Sequence, residues 1–439
     1  MKPTGLLIAV ALLAIVGGGI WLSNKKQGST PAKSPTDTSS KLLTIPAEQF
    51  QEIRIKKPTE TQDVKLVDGK WRIVEPKPLA ADQDAVTSMV TSLSALTADK
   101  TIDENPTDLS AYGLTSPTLD ITITKKDGKT AGIIVGDATP TNSGNYAKLP
   151  DSPKVYTIAS YVKTGLDKND SDLRDKRLMT FDSDKITRVG LAAKGAPVEF
   201  GKNAQNEWQI LKPSPYRADA TQVDALINKL KDAKMDATIS DEDAKKAAAG
   251  FASGTRVALV TVSDSKGDQT LDVHKDKDKN YYAKSSAVDG IYKITTDVGD
   301  ALDKGLDDFR NKKLFDFGFS DPSKIELKGA TYSKSGDKWM SGAKTMDNAS
   351  VQSLIDKLRD LSATKFADKS SGDVVFEATV TSNDGKKVEK VTIRKQGTDY
   401  FAQREGEPSI YQLDAKAVDD LQAAASGVKE AAPEPVKKK

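Results

Sequence analysis

A tryptophan-led motif recurs along this chain. Trp71-Arg72-Ile73-Val74-Glu75-Pro76 is followed by Asp82 and then by Val86, Met89, Val90 and Leu93. The same series returns as Trp208-Gln209-Ile210-Leu211-Lys212-Pro213, Asp219, and Val223, Leu226, Ile227 and Leu230. A reduced copy runs from Trp339-Met340 through Asp347 to Val351, Leu354, Ile355 and Leu358. Recurrence in order and spacing marks duplication, and it restricts the chain to a tandem array of like units.

Each unit reads as sheet with one or two helices. Ile53 and Ile55 alternate with polar residues, as a half-buried strand requires. Asp68-Gly69 supplies the positive φ angles of a tight turn, so residues 64–67 and 71–74 form a hairpin. Asp82 accepts from unpaired amides at the start of the next helix, and the apolar series after it lines one helix face. Residues 119–124 and 131–135 pair across Asp127-Gly128, and two tyrosine strands follow, Tyr146 in one and Tyr156 in the other. A closing segment, Asp172-Leu173-Arg174-Asp175-Lys176-Arg177-Leu178-Met179, ends the first unit, and Asp308-Phe309-Arg310-Asn311-Lys312-Lys313-Leu314-Phe315 ends the second. The third unit shows no such segment, as expected where nothing follows to be joined. The fold class expected is α+β: an N-terminal transmembrane helix followed by three tandem repeats, each an antiparallel sheet with packed helices.

The boundaries that follow are a membrane anchor at 1–23, a flexible linker at 24–41, repeats at 42–179, 180–315 and, degraded, 316–426, and a disordered tail at 427–439. Residues 6–22 are apolar and uncharged, at the lower limit for a helix that crosses a bilayer. Trp21 suits the interface, and Lys25-Lys26 stop the run. The rival reading, a cleaved signal peptide, lacks a small-x-small site directly after the run. The linker is rich in Ser, Thr, Pro and Lys. The expected placement is therefore the inner membrane, single-pass, with the body in the periplasm or extracytoplasmic space.

Composition removes several functions. Net charge is +2, with 65 basic and 63 acidic side chains, so no basic stripe for nucleic acid is expected. There is no cysteine and one histidine, His274, which removes thiolate chemistry and nearly removes histidine-based metal sites and triads. No phosphate-cradling loop, nucleophile elbow or metal-ligand spacing occurs. No catalytic, cofactor or metal-binding residues are assigned, no cofactor is expected, and binding residues stay unassigned. Trp71, Trp208 and Trp339 could be binding platforms, but their hairpin position favours core packing. The tyrosine pairs Tyr146 with Tyr156 and Tyr282 with Tyr292 could line a groove, but cross-strand packing is favoured. Asp276-x-Asp278-x-Asn280 resembles the start of a calcium loop without its glycine or closing glutamate, so a hairpin tip is favoured. His274 is expected to be an exposed strand residue. The closing segments read as salt-bridged joints between repeats, with Leu173, Leu178, Phe309 and Leu314 buried and Arg174 and Arg310 partnered.

The Trp hairpin, the Asp-capped helix, Tyr112-Gly113-Leu114-x-x-Pro117 and the Asp172-Leu173-Arg174-x-Lys176-x-Leu178 closure together resemble a bacterial envelope family defined by a domain of unknown function. Members of that family are often found beside ABC-transporter components of the gliding-motility auxiliary type. The resemblance implies a non-enzymatic accessory or scaffold protein with membrane-protein partners, held to the membrane by its N-terminal helix. A polysaccharide or peptidoglycan binding module is the alternative, and a hydrolase stands behind both.

Overall fold

A computed structural model describes residues 40–236, 241–318 and 322–432. In the first repeat the Trp hairpin belongs to a four-stranded arm. Leu79–Ala80, Lys70–Glu75, Thr61–Val67 and Phe50–Lys56 lie side by side in that order. The sheet continues through Leu119–Lys125, Thr130–Ala138, Gly144–Lys148, Val155–Ala159 and Lys100–Asp103, all antiparallel. The Asp68-Gly69 turn has φ of 51° and 75°, as the hairpin requires. The helix Gln83–Ser94 starts at Asp82, whose carboxylate accepts from the amides of Asp84 and Ala85. Its buried face is Val86, Met89, Val90 and Leu93, packed in one core with Ile53, Ile55, Ile73, Ile121 and Ile123. Each such aliphatic side chain stabilises by roughly 1.5–3 kcal/mol when fully buried.

The second and third repeats use the same strand order. Asp219 and Asp347 cap the helices Ala220–Lys231 and Asn348–Asp360, which bury the predicted apolar faces. The second repeat departs at one edge. Where the first has Lys100–Asp103 and the third has Ala363–Ala367, the second has among its described residues no such strand but a helix, Asp241–Ser253. That helix lies so close to the sheet that a Cβ on Gly250 would sit 2.4 Å from the Tyr282 ring.

The expected α+β class is corrected by the balance of elements. Of the described residues 42% are in strands and 24% in helices, so the chain is mostly β, built on four antiparallel sheets. The helices are short covers on large sheets. The predicted transmembrane segment, 6–22, lies outside the described residues. Among these, no helix is long and apolar enough to cross a membrane.

Contacts divide the chain into two compact units, one through Asp175 and one from Lys176. The division falls inside the first closing segment, and the reason is local. The front half of each closing segment completes its own repeat. Leu173 O accepts from the Asp82 amide, Arg174 bridges Ala81, and the Asp175 amide donates to Ala80 O. Phe309, Arg310 and Asn311 do the same to Asp219, Ala218 and Arg217. The back half pairs with the repeat that follows. Leu178 donates its amide to Ala233 O and Arg177 bridges Lys234; Leu314 donates to Leu361 O and Lys313 bridges Ser362. Leu173 and Phe309 accordingly join the cores of the first and second repeats, and Leu178 and Leu314 join those of the second and third.

The third repeat also has a front half. The Asp347 amide donates to Lys429 O, Glu430 bridges Met346, and the Ala431 amide donates to Thr345 O. The Arg/Lys closing segment is absent from this repeat, as expected, but its front-half pairing is not. Lys429-Glu430-Ala431 shares no side chains with Leu173-Arg174-Asp175, because the common part of the pairing is made by main chain; Glu430 adds an ion pair with Lys344.

Candidate functional site

The densest polar cluster lies where the second and third repeats meet, inside the unit that begins at Lys176. Arg217, on the short edge strand Tyr216–Arg217, is its centre. Its Nε lies 2.8 Å from Glu407 Oε1, and a terminal nitrogen donates to the Tyr411 hydroxyl at 3.2 Å and to Lys313 O. Arg404 grips the other side of Glu407, with Nε 2.7 Å from Oε1, and reaches Glu389 at 3.0 Å. Tyr411 donates to the second Glu407 oxygen at 2.8 Å. Glu389, only 3% exposed, also accepts from the Asp316 amide. Arg404 donates to Leu314 O, and in the preceding repeat Ser285 donates to the equivalent carbonyl, Leu178 O. Each back half is thus held by a side chain from the tyrosine strand of the repeat that receives it.

Burial pushes the Glu407 carboxyl up, but Arg217, Arg404 and the Tyr411 hydroxyl outweigh it and hold the group below the usual glutamate range. Burial lowers Arg217, and its anionic and phenolic partners more than restore it. The Tyr411 hydroxyl is pushed up, first by burial. A carboxylate clasped by two guanidinium groups is locked in its charged form, which suits it to bracing rather than proton transfer. Beside this lattice, Arg310 is sandwiched between Phe366 and Tyr216, 3.5 and 4.3 Å from the ring centroids, and donates to Ser409 and Asp307.

A cleft of about 480 Å³ opens next to the lattice, lined by Trp208, Gln209, Arg217, Ala220, Lys313 and Asp316 among others. The three tryptophans differ here. Trp71 and Trp339 are buried in their cores. Trp208 is half-buried, with its indole N–H 3.0 Å from Asp224 on the following helix and Lys202 over its ring. Both Trp71 and Trp208 pack on their own repeat, as expected, but Trp208 is the less completely buried of the two.

The other predicted residues fall as follows. Leu173, Leu178, Phe309 and Leu314 are all fully buried, and Arg174 is 4% exposed. Tyr146 lies opposite Thr157 and Tyr156 opposite Ala147, so the paired tyrosines face opposite sides of the sheet. Tyr282 and Tyr292 are offset in the same way. Neither pair is directly opposite across its strands, yet Tyr282 and Tyr292 both line a pocket of about 260 Å³ beside the helix Asp241–Ser253. Asp276 and Asn280 close a hairpin tip, the carboxylate accepting from the Asn280 amide and the Tyr282 hydroxyl. His274 is not exposed: its ring stacks on Phe251 at 3.9 Å and Nδ1 contacts Phe251 O.

The family model for "Domain of unknown function (DUF4340)" matches this chain twice, over residues 71–249 and 208–375. Together the matches span well over half of the chain. The chain belongs to the DUF4340 family. Both matches start on the motif tryptophan, Trp71 in one and Trp208 in the other, as a duplicated DUF4340 unit requires. Each match runs past a closing segment into the next repeat, so the family's unit contains a joint. No curated protein and no solved structure matches the chain.

The lattice residues Arg217, Arg404, Glu407 and Glu389 were not legible from composition or motif. Comparison of the repeats with one another carries a signal. Arg217 stands where the first repeat has Ala80 and the third Thr345, and Arg404 stands where the second has Ser285.

Proposed function

We propose that this DUF4340 chain is a non-enzymatic accessory or scaffold protein at the outer face of the bacterial inner membrane, working with a membrane transport assembly. The observation that carries the scaffold reading is the joint itself. A single strip of chain completes one sheet and enters the core of the next, and between the second and third repeats it is braced by one carboxylate, Glu407, held between the guanidinium groups of Arg217 and Arg404. Within the unit that begins at Lys176, such an arrangement ties the third repeat to the second, as a scaffold requires. The membrane placement rests on the apolar run 6–22 and the polar linker after it, and the transport assembly rests on the family resemblance alone.

The test is affinity capture of the full-length chain from detergent-solubilised native membranes. Subunits of an ATP-driven transporter should co-purify, and protease added to intact spheroplasts should digest the body. Protection of the body until lysis, or capture with no transport subunit enriched, would count against the proposal. One observation favours a second reading, an envelope polysaccharide binder: the half-exposed Trp208 at the cleft. Retention of the chain on purified peptidoglycan or polysaccharide, lost on Trp208→Ala, would select that reading.

A further inference from the structure

In the first repeat the main chain of Trp71 is clamped by one carboxamide. The Trp71 amide donates to Gln83 Oε1 at 2.9 Å, and Gln83 Nε2 donates back to Trp71 O at 3.0 Å. Gln83 is the residue directly after the helix cap Asp82. In the third repeat Asn348, directly after the cap Asp347, takes the same place. Its Oδ1 accepts from the Trp339 amide at 3.4 Å and its Nδ2 donates to Asp337 O. The reason for the clamp is geometric. In the first repeat the short edge strand ends at the pair of Arg72 with Ala80, so the Trp71 amide and carbonyl point past its end and need a partner; in the third the edge strand reaches Trp339, opposite Met346, and Asn348 adds to that pairing.

The second repeat has Ala220 at this position, directly after the cap Asp219. Its edge strand pairs only Gln209 with Arg217 and Ile210 with Tyr216, so Trp208 lies beyond the last pair. No side chain among the described residues bonds the Trp208 amide or carbonyl. The space that glutamine fills in the first repeat opens here into the cleft beside Ala220 and Thr221. We propose that a partner polypeptide inserts a glutamine or asparagine side chain into this slot and supplies in trans the carboxamide that Gln83 and Asn348 supply in cis. The slot asks for an acceptor and a donor on one planar group, which a carboxamide provides and a carboxylate or an ammonium does not. The proposal stands on the repeat geometry and holds whichever assembly the chain serves.

The test uses the purified full-length chain and two pentapeptides, each blocked by acetyl and N-methylamide groups, with four alanines around a central glutamine or a central methionine. Calorimetry should show the glutamine peptide binding at least about fivefold more tightly, because an apolar isostere leaves the slot's polar groups unpaired. Ala220→Gln should fill the slot from within, abolish that binding and raise the melting temperature. Ala220→Ser leaves the slot open and should retain binding, which guards against a folding artefact. Equal affinity for the two peptides, binding that survives Ala220→Gln, or a stabilised Ala220→Gln with no peptide bound by the parent chain would each overturn the proposal.

Discussion

Glu407 ties its stability contribution to pH because two guanidinium groups hold it ionised in the fold. Its folded pKa lies below the ordinary value of 4.5, so on acidification the unfolded chain takes up the proton first. The contribution is fully present above that range and is lost as pH falls through it towards the folded pKa. Urea unfolding from pH 6 down to pH 3.5 should therefore cost the parent chain more stability than it costs Glu407→Gln; parallel curves would refute the assignment. Arg217→Ala leaves Glu407 with one partner fewer in a largely buried setting, and should cost about 3 kcal/mol in the same assay. The tryptophans separate by burial. Trp71→Ala empties a core position and should cost about 3–5 kcal/mol, whereas the half-buried Trp208→Ala should cost less than half of that. Equal losses in thermal unfolding would mean that the two sites are packed alike.

At the scale of elements, what was legible was whatever repeats with a fixed period. The Asp82, Asp219 and Asp347 caps and the helix faces behind them were read from spacing, and so was the Asp68-Gly69 turn, because each rests on local chemistry. The tyrosine strands show the limit. Their existence follows from sequence, but whether Tyr146 faces Tyr156 depends on a one-residue register that only the turn between them sets. The helix Asp241–Ser253 went unread because small and charged residues dominate it, and it is fixed by close approach at Gly250 and by Phe251 on His274. The strip Lys429-Glu430-Ala431 is illegible for a different reason: the main-chain pairing that it shares with the other strips leaves no side-chain signature, and its one ion pair, Glu430 with Lys344, has no counterpart motif to match. Removing residues 427–439 should expose the cap of the helix Asn348–Asp360, raising exchange of the Asp347 amide about fivefold, which corresponds to about 1 kcal/mol. Unchanged protection there would show that the strip contributes nothing to the third repeat.

At the scale of the whole molecule, the chain holds two compact units that meet in sequence at Asp175 and Lys176. Calorimetry should resolve two unfolding transitions, and a fragment from residue 176 onward should retain the higher-numbered one with its midpoint moved by no more than a few degrees. A single transition in the full chain, or a fragment that does not fold, would contradict this division. The handover strip also bears on how such an array can grow. Residues 314 and 315 plug the core of the repeat after them, while residue 309 plugs the core before. A copying event with breakpoints at unmatched positions of two strips would leave one core without its plug. Breakpoints at matched positions of two units regenerate a complete strip at every new junction, so growth of the array asks for matched ends rather than for one particular cut.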